Sequence, residues 1–224
     1  MKKVFILSLS LFVFASVAWL ARGGGTTNGV LVASAGPSET VSRSEVNPTP
    51  DTKASDAAET AQSREPLKLP LVDPRILISK GARRLELYSD GRVVRTYRIG
   101  LGKNPIDDKE RARDYRTPEG DFYVCVKNAA SKFYLSLGLS YPNREDAERG
   151  LRDGLITRAT RDRIVAAIDK GLRPPWDTAL GGEIFIHGGG SASDWTWGCV
   201  ALDDADIKEL FDAVPMKTPV RITP

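Results

Sequence analysis

Residues 83–102 read RRLELYSDGRVVRTYRIGLG, and their pattern decides what kind of fold follows. Leu85 and Leu87 alternate with charged residues, as in a strand that buries one face, and Asp90-Gly91 supplies a hairpin turn. Working outward, RILISK (75–80) is a further strand. Thr117-Pro118-Glu119-Gly120 is a turn that launches another alternating strand on Phe122, Val124 and Val126. The period then changes. Residues 143–155 and 157–172 carry helical spacing, with Asn143 and Thr157 as N-caps and Gly171 as a stop before Pro174-Pro175. EIFIHGG (183–189) reads as a buried strand ending at a histidine. A last helix follows Asp203, with Asp206 in its first turn and Ile207, Leu210, Phe211 and Val214 on one stripe; PVRITP (219–224) is a short closing strand. Strands cluster in hairpins instead of alternating with helices. The expectation is a β-rich α+β domain with added helices, closer to a sandwich or barrel than to a doubly wound sheet.

The rest of the 224-residue chain divides by composition. Residues 1–22 begin with Lys2 and Lys3 before an apolar run, the form of a secretory signal. Small residues allow cleavage after Ala18 or after Ala35. Uncleaved, Val4 to Ala21 is long enough to anchor the protein in a bilayer with its N-terminus in the cytoplasm. Either fate places the remainder outside the cytoplasm, in the periplasm or cell envelope. Residues 23–70 are rich in Gly, Ser, Thr, Pro and Ala and lack a periodic apolar stripe, so they read as a disordered linker. Residues 71–224 form the folded domain. The 32 Lys and Arg are dispersed among 29 Asp and Glu, and no basic-aromatic pattern points to a nucleic-acid partner.

Ile186 to Leu202, IHGGGSASDWTWGCVAL, holds the chain's one histidine and one of its two cysteines. A disulfide between Cys125 and Cys199 is open to an exported protein, although Cys125 sits in a strand-like run that suits packing. A zinc shell would need Asp203 or Asp204 to complete it, so no metal is expected. Those two aspartates read instead as capping and dipole partners of the last helix. Two readings of the pair remain. In the first, His187 ends a strand and Cys199 fills a gap. In the second, Cys199 is a nucleophile with His187 as its base, and glycines at 188–190 and 198 offer close approach and open amides.

Three motifs resemble the L,D-transpeptidase catalytic domain, the YkuD family: Ile186-His187-Gly188, then Gly198-Cys199-Val200, with Thr117-Pro118-Glu119-Gly120-Asp121-Phe122 matching its TPxGxF turn. RRLELYSDGRVVRTYRIGLG resembles the family's opening hairpin, and the likeness runs from about residue 75 to 215. Where many members carry Ser-His-Gly-Cys and an arginine after the next residue, Thr196-Trp197-Gly198-Cys199-Val200-Ala201 has neither the histidine nor the arginine. The shorter His-to-Cys loop, SLGLSYPNREDAERG and RPPWDTALGGEIFIHGGG resemble the YafK-like branch.

The resemblance implies a sandwich-like β domain that acts on peptidoglycan stem peptides and needs no cofactor. Cys199 would form a thioester at the carbonyl after the L-centre of diaminopimelate, with His187 as base and a carbonyl such as that of Gly188 orienting the imidazole. Amides at Gly188, Gly198 and Cys199 would receive the oxyanion. Trp195 and Trp197 either line the groove or pack the loop. Arg116 either meets a substrate carboxylate or is a solvated surface residue. An activated Cys199 would alkylate below the pH of an ordinary thiol. An amine acceptor gives a cross-link or a wall-linked protein, and water gives hydrolysis or detachment. The rival reading is a wall-binding module that has kept the fold without the chemistry.

Overall fold

The computed structural model describes residues 65–224, and the central hairpin forms as its alternation requires. Strands β1 (Arg75–Ser79), β2 (Arg84–Ser89) and β3 (Arg92–Arg98) make an antiparallel meander. Asp90 and Gly91 turn it with φ of 51° and 70°, both positive as a type I′ turn demands. Leu85 and Leu87 are fully buried beside Ile76 and Ile78 of β1. Each such side chain removed from water contributes about 1.5–3 kcal/mol.

Strands β4 (Gly120–Ser131), β5 (Tyr134–Leu139), β6 (Phe185–His187), β7 (Val200–Ala201) and β8 (Pro219–Thr223) complete one mixed sheet. Its order is β3-β2-β1-β8-β4-β5-β6-β7. β4 is the corner. Residues 120–123 pair with β8, whereas the run from Val124 onward pairs with β5, and the register shifts between Val124 and Val126 and again between Asn128 and Ser131. A strand that changes partners through such irregularities bends the sheet.

The bend brings the two ends of the sheet together. Gly100, just past β3, exchanges both backbone hydrogen bonds with Ala201 of β7, at 2.9 and 2.8 Å. A Cβ at Gly100 would lie 2.2 Å from the Ser193 carbonyl oxygen, so this closure needs a residue without a side chain. The fold is therefore α+β, with one curled sheet in place of two stacked ones. PVRITP does not lie at an edge: β8 runs parallel to β1 and antiparallel to β4 in the middle of the sheet. Its burial on alternate residues, Val220 and Ile222, suits that central place.

Helices α1 (Arg144–Arg152) and α2 (Arg158–Asp169) pack around a small cluster of their own, Ala147, Ile156, Ile164 and Leu180. Asn143 caps α1 in a capping box with Asp146, and the Thr157 hydroxyl accepts from the Thr160 amide at 3.2 Å. Helix α3 (Asp204–Ala213) buries Ile207 and Leu210 in the main core.

The expected signal or anchor at 1–22 and linker residues 23–64 lie outside the described residues. Leu67 and Leu71 both pack against the main core, so packing begins slightly before residue 71. Among the described residues no helix is long and apolar enough to cross a membrane. Cys125 and Cys199 are both free, and Cys125 is buried in β4.

Candidate active site

β6 lies between β5 and the short β7, and its last residue is His187. The parallel register pairs Ile186 with Val200 and His187 with Ala201. Cys199 therefore stands two residues before the partner of His187, on the same face of the sheet. Both side chains open into one cleft of about 750 Å³, together with Phe133, Phe185, Trp195 and Trp197.

The imidazole is 2% exposed. Its Nδ1 lies 2.6 Å from the Gly188 carbonyl oxygen, which fixes the Nδ1–H tautomer and leaves Nε2 as the basic atom. Phe133 stacks on one side of the ring, with centroids 4.5 Å apart, and Trp195 meets it edge-on at 5.6 Å. Burial lowers the imidazole pKa below its ordinary value, and the bond to Gly188 opposes part of that shift. Burial thus favours the neutral imidazole.

Cys199 is partly exposed to the cleft, but its sulfur packs against the backbone of residues 183–185. Sγ accepts from the Phe185 amide at 3.4 Å and donates toward the Glu183 carbonyl at 3.6 Å. Burial pushes the thiol up to about 11; the Phe185 amide and the Lys109 charge counteract this, and the Glu183 carboxylate adds to it. Both shifts favour the neutral forms of thiol and imidazole. The groups closest to the sulfur are backbone dipoles, whereas a thiol that alkylates below the ordinary pH needs a cation or imidazolium beside it.

The amides expected to be open are mostly engaged. Gly188 donates to the carbonyls of Phe133 and Leu135, and Gly190 donates to Leu202. Gly189 donates to Asp204 Oδ1 at 2.8 Å, and Ser191 to Asp203 Oδ1 at 2.9 Å. Gly198 donates to Thr196 Oγ1 at 3.1 Å, and the Thr196 hydroxyl donates in turn to the Cys199 carbonyl at 2.8 Å. Neither Gly188 nor Gly198 has an N–H to offer an oxyanion. The Cys199 amide makes no hydrogen bond among the described residues. Asp203 occupies the N-cap position of α3 without a side-chain cap bond, because its carboxylate holds the glycine loop instead.

Trp195 is half-buried against His187, and its Nε1 donates to the Gly190 carbonyl at 3.1 Å. Trp197 is 72% exposed at the rim, edge-on to Tyr115. Arg116 is not among the cleft residues, nor is it a solvated arginine. Its guanidinium pairs with Asp107 at 3.0 Å and Glu110 at 3.4 Å. The cation that does line the cleft is Lys132, in the β4–β5 turn. Neither Lys132 nor Phe133 carries a local sequence signal, since both sit in a tight turn whose approach to His187 depends on the pairing of β5 with β6. Thr196 could have been found from its place three residues before Cys199. Among the described residues no cluster of three His, Cys, Asp or Glu could hold a metal ion.

The curled sheet thus brings Cys199, just before β7, and His187, at the end of the adjacent parallel β6, to the floor of one aromatic cleft. The L,D-transpeptidase catalytic domain model, YkuD, matches residues 73–222, and the chain belongs to that family. Among solved structures, the helical cell shape determining protein Pgp2 from Campylobacter jejuni is similar at 21% identity and a TM-score of 0.45. The match covers 66% of this chain and 46% of that one. Bd1075 from Bdellovibrio bacteriovorus aligns at 19% identity and a TM-score of 0.45, over 70% of this chain and 49% of that one. An L,D-transpeptidase from Xylanimonas cellulosilytica aligns at 19% identity and 0.40, over 76% and 69%. The chain thus spans about half the length of the first two. No curated protein matches it in sequence.

Proposed function

We propose that this protein is a cysteine-dependent L,D-transpeptidase of peptidoglycan stem peptides, exported to the periplasm or cell envelope. The observation that carries the reading is the shared cleft of Cys199 and His187, with Nδ1 committed to Gly188 and Nε2 left to take the thiol proton. His187 removes that proton as Sγ attacks the carbonyl after the L-centre of diaminopimelate. The C–S bond forms, the amide C–N bond breaks, and the imidazolium returns the proton to the departing D-alanine amine. An acceptor amine then attacks the thioester, or water hydrolyses it. The Cys199 amide is the donor for the oxyanion, a contact worth about 2.7–4 kcal/mol in other enzymes. Lys132 takes the role of carboxylate contact considered for Arg116.

Attachment of this chemistry to a membrane anchor, or its use on wall-linked protein, depends on the segment before residue 65 and on the acceptor. Mass spectrometry of the full chain with a disaccharide-tetrapeptide, with and without an amine acceptor and beside Cys199→Ala, tests the proposal. Loss of D-alanine with a linked product, absent in the variant, supports transfer. Tripeptide alone supports hydrolysis by the same pair. Loss of neither from tetrapeptide nor from protein-linked peptidoglycan, with binding retained, would favour a wall-binding module.

A further inference from the structure

Residues 103–119, between β3 and β4, form an irregular and largely exposed stretch that lies against the nucleophile loop. A Cβ at Gly102 would stand 2.1 Å from the Tyr115 carbonyl oxygen and 3.1 Å from the Gly198 Cα. The Tyr115 ring meets Trp197 edge-on, and the Gly102 amide donates to Thr117 Oγ1 at 3.1 Å. Arg113 and Tyr115 hold φ of 64° and 58°, in the left-handed region that non-glycine residues seldom enter. Such conformations persist only where the surroundings over-determine them.

Ionic groups do much of that here. Inside the stretch, the buried Lys109 ammonium pairs with Asp114 at 2.6 Å and donates to the Arg111 carbonyl at 3.0 Å. Asp114 in turn accepts the amides of Glu110, Arg111 and Arg116. Two cations grip the stretch from other elements. Lys80, buried just past β1, donates to the carbonyls of Ile106 and Asp107 and pairs with Glu119 at 2.6 Å. Arg149 of α1 donates to Asp108 Oδ2 at 2.8 Å and to the Lys109 carbonyl at 2.6 Å. Asp108 Oδ1 accepts the Glu119 amide at 2.8 Å, so one carboxylate joins α1 to the TPEG turn. Arg149 is anchored in turn by Asp146 at 2.7 Å, a buried carboxylate that also accepts the Asn143 amide at the start of α1. The cluster on which α1 and α2 pack contains no residue of 103–119.

We propose that Arg149 is a positioning residue for Cys199: it clamps the 103–119 stretch to α1, and that stretch holds the nucleophile loop where Sγ shares the cleft with His187. The route is short. Arg149 fixes Asp108 and Lys109, and the Lys109–Asp114 pair fixes the Arg116 amide. The Arg116 carbonyl oxygen is the atom that a Cβ at Gly198 would meet at 2.5 Å, and Cys199 is the next residue. A guanidinium suits the task because its fork holds two acceptors in a fixed plane, which an ammonium does not. Misplacing a reacting atom by about 1 Å costs about a hundredfold in rate, so a clamp remote from the chemistry reaches it through geometry alone. The inference rests on Cys199 being the nucleophile, as proposed above.

The test uses the full chain with a disaccharide-tetrapeptide and four variants: Arg149→Met, Arg149→Lys, Asp108→Asn and the double variant Arg149→Met/Asp108→Asn. Arg149→Met should lower kcat for D-alanine release by about tenfold to a hundredfold, with KM within about twofold of the wild type. Arg149→Lys should recover part of the loss, because it keeps the charge. Asp108→Asn should also lower kcat, and the double variant should be no slower than Arg149→Met, because the two side chains act through one contact. Thr157→Ala is the control: it removes the cap of α2 and should lower the urea midpoint while leaving kcat unchanged. In a Cys125→Ala background, iodoacetamide should alkylate Cys199 faster in Arg149→Met than in the wild type, because a released loop lets Sγ leave the Phe185 amide and the Glu183 carbonyl. Circular dichroism shows whether each variant is folded, and Arg149→Lys and Asp108→Asn carry the test if Arg149→Met is not. A lowered urea midpoint with kcat unchanged, or losses at Arg149 and Asp108 that simply multiply, would overturn the positioning role and leave the thioester chemistry standing. Absence of any Cys199-dependent release of D-alanine by the wild type would overturn both.

Discussion

The Phe133 ring lies nearly parallel to the His187 imidazole, with centroids 4.5 Å apart and 25° between the planes. With Trp195 edge-on at a second side, this stack holds the imidazole and excludes water from it. Because burial is what lowers the imidazole pKa, Phe133→Ala should let that pKa rise toward 6.5. A base works only when neutral, so activity is lost as pH falls through this value. The acid limb of the kcat/KM profile should therefore move to higher pH, with about a tenfold fall in kcat/KM from loss of orientation. A lower rate with an unmoved acid limb would mean that the ring positions His187 without drying it.

The thiol carries a prediction of opposite sign to the usual one for catalytic cysteines. Burial places Cys199 at about 11 in the resting protein, so its rate of iodoacetamide alkylation should climb with pH well past the ordinary thiol range near 8.5. Cys125, also at about 11 through burial, requires the Cys125→Ala variant as background so that one site is read. Alkylation that has levelled off by neutral pH would establish a preformed thiolate–imidazolium pair and reject the neutral resting state.

How much of this could be read before the structure differs by element. Strands β1 to β4 and helices α1 to α3 follow from local alternation, turn residues and caps, since Asp90-Gly91, Asn143 and Thr157 act within a few residues of where they stand. The curl of the sheet was not legible, because it depends on β4 changing partners and on Gly100 meeting Ala201 across the molecule. For the same reason the cysteine and histidine could be named, while their surroundings could not. Phe133, Lys132 and Glu183 reach the cleft through non-local pairing, and the glycine amides at 188–190 are taken up by α3 and its neighbours. Arg116 illustrates the limit: its place beside the turn was clear, but its partners Asp107 and Glu110 depend on how the preceding loop folds back.

Gly198 allows the nucleophile loop to pass close to the TPEG turn. Its φ is 124°, and a Cβ there would lie 2.5 Å from the Arg116 carbonyl oxygen. Gly198→Ala should therefore destabilise the domain by about 1–3 kcal/mol through clash and backbone strain, read as a lower urea midpoint. It should also displace the Thr196–Gly198–Cys199 hydrogen bonds and with them the activity. A midpoint equal to that of the wild type would show that the loop can rise without cost.

Lys132 lines the cleft from the β4–β5 turn and is exposed, so its charge acts on a bound substrate through a partly hydrated gap. A contact of that kind strengthens binding of a carboxylate without favouring the transition state over the ground state. Lys132→Ala should raise KM for the tetrapeptide about fivefold, with a smaller effect on kcat. Lys132→Glu should raise it further by repelling the same carboxylate. The difference between the two variants should shrink as salt is raised from 0.05 to about 0.5 M, because an exposed charge is screened over about a Debye length. A fall confined to kcat, or one indifferent to salt, would instead place Lys132 in the packing of the turn that carries Phe133.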